Sequence, residues 1–98
     1  LIETKQVELL DILNGLGIRT TNGDIHSLVL WNDDINEALY IVIALCEVCE
    51  LSKTDAMKIM HEAHTKGKAI VKSGDYATMI MMKELLNKRK IEATVEQY

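Results

Sequence analysis

The sequence predicts a two-layer α+β sandwich in which three helices cover one face of a three-stranded antiparallel sheet and solvent reaches the other. Three observations carry that prediction. Ile25 to Trp31 is a run rich in β-branched and apolar residues. Three segments follow with helical spacing, two of them with clear start signals. The tail from Ile91 alternates strictly between apolar and polar residues. A chain of 98 residues is one domain in size.

Residues 1–24 stand apart as an N-terminal extension, and residues 25–98 form the domain. In the extension, Ile2, Val7, Leu9, Leu10, Ile12, Leu13 and Leu16 are spaced as in a short helix. Gly15 and Gly17 end it, and Thr20 to Asp24 reads as a loop. The segment reads as an N-terminal arm with one short helix, the plainer alternative being a surface helix that packs on the domain.

The strand from Ile25 to Trp31 runs into the polar stop Asn32-Asp33-Asp34. Asn36 is placed to cap the first helix, since its amide oxygen can accept from unpaired backbone N–H groups. Ala38, Leu39, Ile41, Val42, Leu45, Cys46 and Cys49 give that helix a broad apolar face, which implies deep burial. Ser52 opens the second helix with Asp55 three residues on. Ala56, Ile59, Met60 and Ala63 form its inward stripe, and Gly67 ends it. Lys68 to Lys72 is a short strand. Asp75 caps a third helix that closes on Lys88, Arg89 and Lys90, cations suited to the negative pole of the helix. In the last strand Ile91, Ala93 and Val95 face one way.

The formal charge of −4 argues against nucleic acid, whose partners cluster Lys and Arg. A mildly acidic surface favours cationic ligands instead. No apolar run reaches the ~18 residues of a membrane span. Two cysteines with no secretory signal fit a reducing compartment.

Catalytic motifs are sparse. Gly67-Lys68 lacks the upstream glycine of a phosphate loop. Cys46-Glu-Val-Cys49 and His61-Glu-Ala-His64, eleven residues apart, have the look of a two-cysteine, two-histidine zinc set. The cysteines fall on a helix, however, and two residues between the histidines is short of the usual spacing. Buried thiols are the favoured reading, with a small zinc-binding interaction module as the alternative.

Asn32, Asp34 and His64 pose a different question. An amide oxygen, a carboxylate and a neutral imidazole are all acceptors, whereas an ammonium has only donors. If they converge beside an apolar wall, they suit the α-amino group of a peptide and its first side chain. If they do not, the triplet merely closes the strand and His64 is an ordinary half-buried histidine. Protonating His64 would remove an acceptor, so binding of this kind should weaken in acid.

Leu28-Val-Leu-Trp-Asn-Asp-Asp-Ile-Asn36 and Met60-His-Glu-Ala-His-Thr-Lys-Gly-Lys-Ala69 resemble two segments of the ClpS adaptors, at matching separation. The resemblance covers about residues 25–97. It implies a non-enzymatic adaptor that binds destabilising N-terminal residues (N-degrons) and passes them to a Clp AAA+ unfoldase, ClpA- or ClpC-like, and its ClpP peptidase. Asn32, Asp33, Asp34 and His64 would hold the α-amino group. Asn36, Ala38, Ile41, Met60, Ala63 and Ile91 would line the side-chain pocket. The arm would engage the unfoldase, and no cofactor is expected. The implied protein is a monomer of the bacterial cytoplasm, with an organelle stroma also open.

Two departures from the family pattern stand out. Members usually carry a bulky residue, commonly Met, at the place of Ala38, and often a β-branched one at Ala63, so a roomier pocket is expected. The third helix has Ala77, Met79, Ile80, Met81 and Met82 where members often have Glu and Lys for docking.

Overall fold

Strand β1 (His26–Trp31) is the middle of a three-stranded antiparallel sheet of order β2-β1-β3, with β2 at Lys68–Gly74 and β3 at Ala93–Gln97. The structure, a computed structural model, describes residues 25–97. The short helix expected in the extension lies outside the described residues. Helices α1 (Ala38–Cys49), α2 (Lys53–Lys66) and α3 (Tyr76–Lys88) complete the domain.

Alternation along β1 sorts its side chains. Leu28 and Leu30 are completely enclosed and join Leu45, Cys49, Ala56, Met79, Leu86 and Ile91 in the core between sheet and helices. On the opposite face Ser27 meets Ser73 through their hydroxyls at 2.9 Å. Methionine fills the gaps left by the branched residues, with Met79 and Met82 buried and Met81 turned outward.

Two predicted caps are present. Ser52 accepts from the backbone N–H of Asp55 at 3.1 Å, and Asp75 accepts from that of Thr78 at 2.9 Å. Gly67 closes α2 at φ 94°, a backbone region that any Cβ would strain, and its N–H returns to the Ala63 carbonyl.

Three expectations need correction. Glu37, not Asn36, occupies the N-cap of α1, and it makes no side-chain capping bond. Ile91 precedes β3 rather than opening it. The face of α1 is also less deeply buried than its breadth implies: Ile41, Val42, Ala44, Leu45 and Cys49 are enclosed, but Leu39 stays 62% exposed. Only about half of the circumference of a helix can meet a single sheet, so an almost wholly apolar helix must leave some of it in water.

Candidate functional site

The end of β1 and the end of α2 are tied by one backbone bond. The N–H of Asn32 donates to the Gly67 carbonyl at 2.9 Å, so the turn that reverses α2 into β2 brings His64 next to the Asn32-Asp33-Asp34 triplet. Between them opens a pocket of about 440 Å³. Buried Leu30, Ile41 and Ala63 and half-buried Met60 give it an apolar interior. Ala38 is exposed at the start of α1, and Asn32, Asp34 and His64 are exposed at the mouth.

Asp33 plays a different part from its neighbours. One carboxylate oxygen accepts from the backbone N–H groups of Ile35 and Asn36, both at 2.8 Å. The other accepts from the Asn36 side-chain amide at 2.6 Å. Asn36 donates again from that nitrogen, to the Lys90 carbonyl at 2.8 Å. Partial burial pushes the Asp33 carboxyl up, but the bonds from Asn36 and Ile35 together outweigh it and hold the pKa below its ordinary 3.8. Asp33 is thus committed to shaping the loop. Asn32 and Asp34 make only a long 3.4 Å contact with each other, from the Asn32 amide to the Asp34 carboxylate.

A depressed carboxyl pKa means stability that is present above the unfolded value and lost as pH falls through the folded one. Replacing Asp33 with Asn keeps one oxygen for the two backbone N–H groups but sets an NH₂ against the Asn36 amide. Asp33→Asn should therefore lose about 1 kcal/mol at neutral pH. It should also show a shallower fall in stability than the parent as the pH drops below about 4. Urea unfolding across that range measures both; parallel curves for the two proteins would contradict the assignment.

The tyrosine hydroxyl of Tyr40 donates to the Arg89 carbonyl at 2.8 Å. Together with the Asn36–Lys90 bond, this pins the start of α1 to the turn at residues 89–90, where Lys90 has φ 65°.

Nine of the ten residues expected at the site line this one pocket. Ile91 does not; it lies fully buried in the core, its N–H bonded to the Leu86 carbonyl. Sequence reasoning missed Leu30 and Trp31, and it weighed His61 only as a metal ligand. A signal for His61 existed, since it lies one turn before His64 on α2.

The zinc alternative does not assemble. A three-residue connection places Cys49 beside the first turn of α2, whereas His61 and His64 lie about 12 and 17 Å further along that helix. Burial pushes the Cys49 thiol up to about 11, against a smaller opposing pull from Lys72, so it stays protonated at neutral pH. Among the described residues no group of three or more His, Cys, Asp or Glu could hold a metal ion. No helix among them is long and apolar enough to cross a membrane.

The fold and site define a small binding module, an apolar pocket with acceptors at its mouth. Comparison with known proteins gives the family. Residues 22–95 match the family described as ATP-dependent Clp protease adaptor protein ClpS. A ClpS adapter of Prochlorococcus marinus is 37% identical over 73 residues, which are 74% of this chain and 70% of that protein. One from Corynebacterium glutamicum is 33% identical over 61 residues, covering 53% of this chain and 61% of the relative. Among solved structures, Agrobacterium tumefaciens ClpS2 bound to L-phenylalaninamide shares the fold with a TM-score of 0.72 at 21% identity, over 76% of this chain and 98% of that one. The chain belongs to the ClpS family, whose members are non-catalytic adaptors that bind N-degron substrates and deliver them to a Clp unfoldase.

Proposed function

We propose that this chain holds the free α-amino group of a substrate against Asn32, Asp34 and His64 while the first side chain enters the pocket between α1 and α2. Ala38, Ile41, Met60 and Ala63 form the wall of that pocket, with Leu30 behind them, and Asp33 and Asn36 shape its mouth. The bound substrate then passes to a Clp AAA+ unfoldase of the ClpA or ClpC type. The observation that carries this reading is the placing of three acceptors on the rim of an apolar cavity large enough for a bulky side chain. The L-phenylalaninamide bound by the Agrobacterium protein supports it, since that ligand has a free α-amino group and an aromatic side chain. The bacterial relatives support a bacterial cytoplasm over an organelle stroma.

Binding should divide its labour in a simple way. Burying a Leu or Phe side chain contributes roughly 1.5–3 kcal/mol. The acceptors fix the register and reject internal or acetylated residues, which cannot satisfy them. Fluorescence anisotropy with labelled peptides tests this. A peptide with a free N-terminal Leu or Phe should bind, and its acetylated twin should not. Equal affinity for both would overturn the reading. In the same panel, peptides opening with Ile or Val should bind within about tenfold of Leu, because alanines at 38 and 63 leave room for a β-branch, and Ala38→Met should exclude them. Strict rejection of Ile and Val by the parent protein would show that the small walls do not widen the pocket.

A further inference from the structure

Apart from Trp31, six of the residues lining the pocket carry polar side chains, and five of these already have a part. Asn32, Asp34 and His64 are the acceptors offered to the amino group. Asp33 and Asn36 bond to each other, and Asn36 also reaches the Lys90 carbonyl. The indole N–H of Trp31 donates to the Thr94 hydroxyl at 2.8 Å. His61 is left over. It is exposed, it lines the same pocket, and its ring makes no hydrogen bond among the described residues.

An N-terminal residue brings three groups to such a site: the ammonium, the first side chain and the first carbonyl. The carbonyl is an acceptor, and on entering the mouth it loses water and needs a donor. The acceptors of the rim are poorly placed to supply one. His64 must present a lone pair to the ammonium, and Asn32 turns its amide N–H toward Asp34 at 3.4 Å. We infer that His61 donates a hydrogen bond to the carbonyl oxygen of the substrate's first residue. This rests on the placing of the amino group proposed above and adds a third point of recognition to it.

The spacing along α2 agrees. Asn32 closes the pocket at the end of α2 through its bond to Gly67, so the substrate backbone leaves in the other direction, where His61 stands one turn back. Side chains three residues apart on a helix lie about 5–6 Å from one another. The nitrogen and carbonyl oxygen of one residue are about 3 Å apart, and each hydrogen bond spans about 2.9 Å. An amino group bonded to His64 therefore leaves its own carbonyl within reach of His61. An imidazole keeps an N–H donor whether neutral or protonated, so His61 can serve in either form. The two histidines have opposite tasks, and the ligand class narrows to α-amino amides, as in a peptide, over simple amines with the same side chain.

Competition against a labelled peptide with a free N-terminal Leu tests this, with L-phenylalaninamide and phenethylamine as competitors. Phenethylamine has the amino group and the aromatic ring but no carbonyl. His61→Leu alters an exposed position and should weaken L-phenylalaninamide about 3- to 10-fold, the loss of one ordinary hydrogen bond. Phenethylamine should stay within about twofold of its affinity for the parent. His61→Gln, which keeps an N–H donor, should recover part of the loss. Equal weakening of the two competitors, or of neither, would overturn the inference while leaving the amino-group reading standing. A parent protein that binds neither the labelled peptide nor either competitor would overturn both.

Discussion

Asp34→Ala is expected to weaken binding of a free N-terminal Leu peptide by roughly 10- to 150-fold, the loss of one hydrogen bond to a charged group. His64→Ala should fall in the same range. Neither side chain is committed elsewhere in the way that Asp33 is, and both are exposed at the pocket mouth, so the folded domain should tolerate the change. The discriminating comparison is with the acetylated peptide. Acetylation removes the ammonium itself, so the parent and both variants should bind the acetylated peptide equally poorly. Anisotropy titrations of both peptides with all three proteins decide the point. A variant that loses affinity for the two peptides alike would have damaged the pocket, and the acceptors would then have no special claim on the amino group.

Ile91→Ala should act on stability and leave selectivity largely alone. Ile91 is fully buried, and truncating such a residue costs about 2–5 kcal/mol through lost transfer energy and the cavity left behind. For a domain of this size each kcal/mol lowers Tm by about 4–8 °C. Thermal unfolding should therefore show a fall of about 10 °C or more. The rank order of Leu, Phe, Ile and Val peptides, measured where the variant is still folded, should match that of the parent. A reordered panel would put Ile91 back in the side-chain pocket.

The contrast between Ile91 and Asn36 shows which parts of the molecule could be read in advance. Ser52 and Asp75 cap their helices through bonds three residues long, and such local chemistry is visible in a sequence. Asn36 has the same credentials as a cap. Its side chain is instead drawn to Asp33 and to a carbonyl 54 residues away, and nothing local announces the second of these. Ile91 continues the alternation of the last strand by sequence, yet the chain pairs its N–H with Leu86 and starts the ladder two residues later. In α1, apolar residues fill nearly every position, so periodicity is lost and the exposed side cannot be told from the buried one. The pocket that Asn32, Asp34 and His64 share was legible for a different reason. Its acceptors sit at the ends of regular elements, and antiparallel packing of β1 with β2 brings those ends together through Asn32 and Gly67.

The turn at residues 89–90 has a mechanical consequence. It receives Asn36 from the pocket loop and Tyr40 from α1, and it is also where α3 stops. The mouth of the pocket and the end of α3 are thereby geared to one another. A displacement of that turn by a protein seated on α3 would loosen the loop that Asp33 organises, and an occupied pocket would resist the displacement. Linkage makes the two effects equal: whatever factor such a contact takes from peptide affinity, the peptide takes from the contact.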